Sequence, residues 1–528
     1  MSGPTADAPT ILDLVCALTI PAESEIVPSQ VADKIEITGL ATDSRSVRPG
    51  QLFIGMPGTQ VDGGKYWSQA AENGAIAAFV STDVLNEVNP AVAAIPLWGW
   101  PAAQLPAVCG QVAARYYNYP GRKLSLVGVT GTNGKTTTTH LIEHLLGAAG
   151  EAIALVGTLY NRWPGHSQTS AHTTPFATEL QRTLAAAREA GSQRAVLEVS
   201  SHSLAQQRVW GCQFDAAVWT NLTQDHLDFH ATMDEYWQAK ALLFRSDYLK
   251  PNGRAIVNRD DEGGQRLLEV LKANNRLAPW SFTLRDASTW PERDRSHLLW
   301  ASHVDMQADG LRATLHTPTG STEVSAPLVG QFNLANLLAA VGVAVHLGVP
   351  LATIRDALPR FPGVPGRVTS VRIPDGGQDI AAIVDYAHTP DGLENLLAAL
   401  RPSVRGELVC VFGCGGDRDR AKRPLMGEIA ARLADRVVVT SDNPRTEEPQ
   451  QILDDILAGM KTSATPMVVE VDRKLAIQHA IAAANPGDTV AIAGKGHEDY
   501  QILGKVKVHF DDSEVAAAAL RQRVRAAD

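Results

Sequence analysis

The chain has 528 residues, 45% hydrophobic and 20% charged, with a formal net charge of −10. That length predicts about three or four domains, the composition is that of a soluble globular protein, and the acidic balance argues against a nucleic-acid binder, which presents a basic surface. No apolar run reaches the ~18 residues of a membrane helix, and the N-terminus lacks a basic leader, with Asp13 breaking its apolar stretch. Cys16, Cys109, Cys212, Cys410 and Cys414 form no C-x-x-C pair, so free thiols in a reducing cytoplasm are expected, without membrane insertion.

Up to about residue 120, strand-like runs (Gln51–Ile54, Ala75–Val80) alternate with Gly- and Pro-rich turns. Breaker and charge signals at Tyr119-Pro-Gly-Arg-Lys123 mark a first boundary. Val127–Thr139 then reads as an apolar strand, a glycine-rich turn and a helix opening with Lys135 and Thr136. Such a turn is a phosphate cradle: amides and the helix dipole face an anion, the lysine reaches phosphates, and the hydroxyl holds Mg²⁺. Its spacing from Gly131, G-x-x-G-K-T, is shorter than the common form. The bland reading, a simple turn, is the weaker one.

Ala195–Val199 and Ala216–Thr220 read as buried parallel strands. Glu198 at the first is either a helix cap or a Mg²⁺ ligand. Thr220–His230 after the second holds two acids and two histidines: a solvated loop or a metal position. Thr232-Met-Asp-Glu235 is a capping box opening a helix through Lys240 to Phe244. A lysine on such an apolar stretch ordinarily snorkels to water. Phe332–Leu347 reads as a long apolar helix, and Phe361-Pro-Gly-Val-Pro-Gly366 marks a second boundary.

The last part alternates strands (Ile380–Val384, Leu408–Phe412, Arg436–Thr440, Met467–Glu470, Thr489–Ala493) with helices, the pattern of a doubly wound α/β domain with ligands at the carboxyl strand ends. Gly413–Arg420, Ser441–Arg445 and Gly494–Glu498 each follow a strand. They are either three tight turns or one site: Arg418 and Arg445 suit a carboxylate, and Asp442 and Glu498 suit an ammonium, so together they fit a zwitterionic amino acid.

This ordered series resembles the Mur ligases, ATP-dependent amide-bond ligases of peptidoglycan precursor synthesis, a pathway of cell-wall biogenesis, cell shape and division. The resemblance covers nearly the whole chain and rests on Asp43-Ser-Arg45 with Pro49-Gly50, Gly131–Thr137, Thr173-Thr-Pro175, Glu198–His202, Asn221–His226, Lys240, Gly330–Asn333 with Asn336, Gly366-Arg367, Asp385–His388, Gly415–Arg418, Asp442–Arg445 and Gly494–Glu498. It implies an α/β protein of three domains: an N-terminal UDP-binding domain (1–121), a central P-loop ATPase domain with a mostly parallel sheet (122–362), and a C-terminal Rossmann-like amino-acid-binding domain (363–528).

Residue by residue, the resemblance implies that Lys240 is carbamylated by CO₂ into an anionic metal ligand, which overrides the snorkelling reading. Catalytic roles fall to Lys135, Glu198, His226 and Lys240, and Mg²⁺ ligation to Thr136, Glu198, His226 and carbamylated Lys240. Gly131, Thr132, Asn133, Gly134, Lys135, Thr136 and Thr137 match the ATP cradle, with Asn258, Asn333, Arg367 and Asp385 around the nucleotide. Ser44, Thr59, Gln60 and Val61 match the uridine end of the acceptor. Thr173, Thr174, Ser200, Gln206 and Arg208 match its muramoyl-dipeptide side. Arg418, Asp442, Asn443, Pro444, Arg445, Gly494 and Glu498 match the amino-acid pocket. In that family the form Asp442-Asn-Pro-Arg445 goes with meso-diaminopimelate, whose second carboxylate a guanidinium can grip with two bonds.

The implied reaction phosphorylates the D-Glu carboxylate of UDP-N-acetylmuramoyl-L-alanyl-D-glutamate to an acyl phosphate, which the diaminopimelate amine attacks. ATP, this acceptor and the amino acid are the expected partners of a cytoplasmic monomer, with domain closure excluding water. The rivals are the same reaction with L-lysine, a folylpolyglutamate synthetase-like ligase, and a non-catalytic nucleotide switch.

Overall fold

The computed structural model describes residues 9–27, 36–58, 61–273, 278–307, 310–373, 376–461 and 463–527. They fall into two compact units. Met1–Gly128, Glu151–Ala217 and Leu242–Gly253 form one, and Val129–Gly150, Val218–Ala241 and Arg254–Asp528 form the other.

The first unit opens with a sheet in which Gly39–Ala41, Gln51–Ile54, Ala77–Ser81 and Leu97–Trp100 run parallel, with Ser24–Ile26 antiparallel at one edge. Strand alternation sorts the side chains. Leu52, Ile54, Phe79 and Trp100 join one core, while Phe53, Ala78 and Val80 join another on the opposite face. The run expected from Ala75 starts at Ala77 and ends on Ser81, whose hydroxyl caps the next helix by accepting from Val84 N–H at 3.2 Å. The first boundary signal corresponds to left-handed backbone at Asn118 and Tyr119 followed by a single helical turn, Pro120–Lys123. Farther on, Arg194–Glu198 pairs parallel with Ile153–Val156, which continues into an antiparallel hairpin, Tyr160–Trp163 and His166–Thr169.

In the second unit, Ile256–Asn258 at the end of a strand, Trp280–Phe282 and Leu298–Gln307 are parallel neighbours. The chain then turns back twice through Gly310–Thr317 and Gly320–Ala326 as an antiparallel meander, an exception to the mostly parallel sheet expected of residues 122–362. The cradle helix Lys135–Ala148 packs on the buried apolar helix Gln331–His346. Thr232 accepts from Glu235 N–H at 3.1 Å, and Glu235 reaches back to Ala231 N–H at 3.0 Å rather than to the cap residue itself. The helix thus begun is Met233–Ala241, and Leu242–Phe244 tightens into a 3₁₀ turn.

The C-terminal sheet orders Thr369–Ser370, Ala381–Asp385, Thr489–Ala493, Leu408–Phe412, Arg436–Thr440 and Met467–Glu470, parallel except at the first strand. Three helices (Pro390–Leu400, Lys422–Leu433, Pro449–Ala458) cover one face, and Arg473–Ala482 with Asp512–Ala527 covers the other. The chain therefore reverses direction when it returns to place Thr489–Ala493 between two earlier strands. Ligands of open α/β sheets settle in the crevice that such a reversal opens.

Candidate functional site

The cradle is built by close backbone approach. Gly131 and Gly134 have φ of 146° and 85°. A Cβ on Gly131 would lie 1.8 Å from Thr220 Oγ1, and one on Gly134 would lie 2.3 Å from Asn336 Oδ1. Thr132 N–H donates to Asn221 O and Asn133 N–H to Asn221 Oδ1, both at 2.9 Å. Thr220 Oγ1 donates to Asn133 O at 2.6 Å. The loop is thereby fixed from the strand end that carries Asn221. Lys135 folds back over it, its Nζ 2.9 Å from Gly131 O and 2.8 Å from Thr132 O. Thr136 is buried, and Arg367 Nη2 donates to its hydroxyl at 3.2 Å.

Lys240 does not snorkel. It is 1% exposed, donates to Gly131 O at 2.7 Å and lies 4.4 Å from the Tyr236 ring centre. Burial, helped by the nearby positive charge of Lys135, pushes its pKa well below the usual lysine range. His226 has left-handed backbone and sits 3.4 Å from Asp225. Burial alone would raise the Asp225 carboxyl, but the charges of His226, Lys422 and His388 win and hold it below its ordinary value. His388 is pushed down to about 4, first by burial and then by Lys422.

In the first unit, Glu198 is fully buried at the end of its strand. Thr158 N–H donates to one of its oxygens and Thr158 Oγ1 to the other, both at 2.9 Å. It is not a helix cap: Ser200 caps the next helix by accepting from Ser203 N–H. Thr174 Oγ1 donates to Glu198 O at 2.8 Å and accepts from Ser200 N–H at 3.1 Å. Thr173 Oγ1 lies 3.1 Å from Thr158 Oγ1. Arg208 donates to Thr174 O at 2.9 Å, grips Gln206 Oε1 with two nitrogens, and covers the Phe176 ring at 4.0 Å. Burial lowers its pKa to about 10. The five residues expected on the muramoyl-dipeptide side are thus one cluster. Ser44 is buried, donates to Gln69 Oε1 and holds Asn73 through its carbonyl. Val61 is exposed, and Thr59 and Gln60 lie outside the described residues.

A cavity of about 340 Å³ opens beside the cradle. Asn133, Gly134, Thr137, Asn258, Arg367 and Asp385 line it, together with apolar Phe282, Leu284, Phe332 and Leu396. Asn258 is fixed by donating to Thr220 O at 2.8 Å. Asp385 accepts from Val368 N–H at 2.7 Å and Ala387 N–H at 2.8 Å, so it shapes the backbone that carries Arg367; burial raises its pKa. Asn333 is absent from the lining. It accepts from Asn336 Nδ2 at 3.2 Å, and Asn336 is what meets Gly134.

The three C-terminal turns come together. Gly494, at φ 119°, brings the Asp442 carboxylate over its bare Cα, where a Cβ would meet Oδ2 at 2.6 Å. Asn443 Nδ2 donates to Glu498 Oε2 at 2.8 Å. Burial, then the neighbouring Asp442 charge, raises the Glu498 pKa. Pro444 is buried, its carbonyl against Gly416. Arg445 has left-handed backbone and donates to Gly416 O at 2.7 Å, while Arg418 is exposed at the rim. Both guanidine side chains flank Gly415.

Several residues here escaped the sequence reading. Lys495 is fully buried inside a turn whose glycines and glutamate drew the attention. His497 has its ring 5.0 Å from that of Tyr386, and burial, then Arg367, pushes its pKa to about 3. Thr158, the anchor of Glu198, carries no sequence signal at all. Four cysteines are buried and Cys16 is exposed, all of them free.

The comparisons with known proteins agree with this layout. The Mur ligase family catalytic domain matches residues 36–117, the Mur ligase middle domain residues 129–344, and the Mur ligase glutamate ligase domain residues 366–496. UDP-N-acetylmuramoyl-L-alanyl-D-glutamate–2,6-diaminopimelate ligase of Trichormus variabilis is 55% identical over 94% of this chain and 97% of its own. The Thermosynechococcus vestitus protein of that name is 56% identical over 93% and 94%. A solved structure, also of a UDP-N-acetylmuramoyl-L-alanyl-D-glutamate–2,6-diaminopimelate ligase, aligns with a TM-score of 0.65 at 33% identity, covering 98% of this chain and 99% of that one. With the cradle, the buried Lys240 and the C-terminal pocket all in sequence order, the chain belongs to the Mur ligase family, the ATP-dependent ligases of peptidoglycan precursor synthesis.

Proposed function

We propose that the chain joins meso-2,6-diaminopimelate to UDP-N-acetylmuramoyl-L-alanyl-D-glutamate with ATP hydrolysed to ADP and phosphate. The observation that carries this reading is the pocket of Asp442, Asn443, Arg445, Gly494 and Glu498, in a chain more than half identical to ligases of that name. Arg445 and Arg418 receive the far carboxylate of the amino acid, and Asp442 and Glu498 its ammonium. With L-lysine the guanidinium would face a like charge and lack a partner.

The division into residues 1–121, 122–362 and 363–528, the cytoplasmic location and the monomeric state belong to the same proposal. Ser44, Thr59, Gln60 and Val61 are assigned to the uridine end, and the Thr173–Arg208 cluster to the muramoyl dipeptide. Gly131 to Thr137, Asn258, Arg367 and Asp385 hold the nucleotide, with Asn333 acting through Asn336.

The chemistry runs through the cradle. First-turn amides of the helix Lys135–Ala148 and the Lys135 ammonium offset charge on the γ-phosphoryl group as it moves to the D-Glu carboxylate oxygen and ADP departs. The amino-acid amine then attacks the acyl carbon, gives up a proton, and phosphate leaves. Among the described residues no three His, Cys, Asp or Glu side chains form a ready metal cage. The oxygen donors among the proposed ligands, a threonine hydroxyl and a carboxylate, suit Mg²⁺, which takes one or two carboxylates and fills its shell with phosphate oxygens and water. Thr136, Glu198, His226 and carbamylated Lys240 are its proposed ligands, as the family resemblance implies. When bound, Mg²⁺ adds positive charge against the transferred phosphoryl group. The depressed Lys240 pKa supports carbamylation, because only the uncharged amine adds CO₂.

The test is ATP-dependent phosphate release by the purified chain with a panel of amino acids, with and without the UDP-muramoyl dipeptide. Turnover should require both the dipeptide and meso-diaminopimelate. Equal turnover with lysine, or turnover without the dipeptide, would refute the reading.

A further inference from the structure

The turn that carries Asp442 to Arg445 lies beyond its strand, which ends at Thr440. Its backbone groups have left the sheet ladder and need partners elsewhere. On one flank Asn443 O accepts from Gly416 N–H at 2.9 Å, Arg445 Nη1 donates to Gly416 O at 2.7 Å, and Thr446 donates to the Asp417 carboxylate. The other flank meets a hairpin, Tyr500–Leu503 paired antiparallel with Val506–His509. Arg445 N–H donates to Ile502 O at 3.1 Å and Gly504 N–H to Arg445 O at 2.8 Å, which holds Arg445 at its φ of 51°. Ile502 N–H donates to Asn443 Oδ1 at 2.9 Å. Gln501 Nε2 donates to Asp442 O at 2.6 Å across 59 positions of sequence, and this bond is buried.

A two-stranded hairpin is marginal by itself, and Val506–His509 is exposed along its length. The anchor lies at the base. Phe510 N–H donates to Asp499 O at 2.9 Å. Two residues on, buried Asp512 is gripped by two nitrogens of buried Arg473, at 2.8 and 2.7 Å. The hairpin is thus fixed from the core, and the turn is held against it. Of the four bonds that join them, three use backbone groups of the hairpin, which other residue types supply equally well. The fourth depends on the side chain of Gln501.

We propose that Gln501 is a positioning residue for the amino-acid pocket: its amide fixes the Asp442 carbonyl and so holds the Asp442–Arg445 turn, before binding, in the arrangement that meets the far end of the amino acid. This rests on the ligase reading above. Without the donor a buried carbonyl is left unsatisfied, and the turn shifts to find another partner. Binding must then restore the arrangement, so the loss of preorganisation falls on affinity for the amino acid. None of these bonds involves the cradle residues Gly131 to Thr137.

The experiment measures kcat and the KM values for meso-diaminopimelate, ATP and the UDP-muramoyl dipeptide in the parent chain, Gln501→Met, Arg445→Ala and the double variant. Methionine keeps the length of the side chain and loses the donor. KM for diaminopimelate should rise about tenfold in Gln501→Met, with kcat and the other two KM values within about twofold of the parent. A residue that only supports the fold would lower kcat through the folded fraction and leave this one KM alone. Because Gln501 acts through the turn, its substitution should cost less in the Arg445→Ala background than in the parent. Should Gln501→Met fail to fold, Gln501→Leu carries the same comparison. An unchanged diaminopimelate KM, equal rises in all three KM values, or a fully multiplicative double variant would each overturn the proposal. A parent chain that does not couple diaminopimelate overturns the ligase reading instead, so the two failures are distinct.

Discussion

Gly131→Ala probes the cradle directly. The φ of 146° lies where a side chain is strained, and the new Cβ would stand 1.8 Å from Thr220 Oγ1 and 3.0 Å from Asn221 N. The backbone strain costs about 1–3 kcal/mol. Thr220 must also rotate away, which removes its 2.6 Å hydrogen bond to Asn133 O, a further loss of about 1 kcal/mol. The total of about 2–4 kcal/mol falls on the loop that would hold the nucleotide, and 1.4 kcal/mol is a factor of ten in affinity. ATP affinity should therefore drop by at least about tenfold, measured by calorimetric titration, with KM for ATP rising in the coupled phosphate assay. Adding Thr220→Ala removes the colliding hydroxyl but neither the strain nor the loss of the bond to Asn133 O, so the double variant should bind ATP no better than Gly131→Ala. Parent-like ATP affinity in Gly131→Ala would refute the argument that close approach requires glycine here.

Lys240→Ala should nearly abolish turnover, with partial rescue by a short carboxylic acid; full activity without rescue would remove the carbamate from the mechanism. Arg445→Ala should raise KM for diaminopimelate by about tenfold or more, because a charge-assisted partner of the far carboxylate is lost; an unchanged KM would show that this guanidinium does not read the substrate. His497 is held near pKa 3 in the fold, below the ordinary 6.5. The unfolded chain therefore binds more protons between those values, so stability is present above pH ~6.5 and is lost as pH falls toward 3, by at most about 1.4 kcal/mol per pH unit. Melting temperatures across pH 4–7 should fall less steeply for His497→Gln than for the parent, and identical slopes would count against this assignment.

Much of the protein was legible from its residues alone. The cradle strand and helix, the long apolar helix at Gln331–His346 and the C-terminal strands were all readable, because hydrophobic period and glycine position are local properties. Boundaries slipped where one residue both ends a strand and caps the next helix, as at Ser81. The meander over 298–326 was not read, since nothing local distinguishes its strands from the parallel ones before them.

Residue type and order determined which chemistry the chain carries: a lysine and threonine behind glycines, an Asp-Asn-Pro-Arg turn after a strand, a lysine on an apolar helix. Long-range packing decided the rest. Lys240 has its pKa depressed because it is buried against Gly131 and Tyr236, 109 and four positions away in sequence, with the charge of Lys135 nearby. Lys495 is buried because the returning strand inserts beside Leu408–Phe412 and brings the Gly494–Glu498 turn against Asn443. Desolvation and charge pairing depend on distances through space, which a linear pattern does not contain.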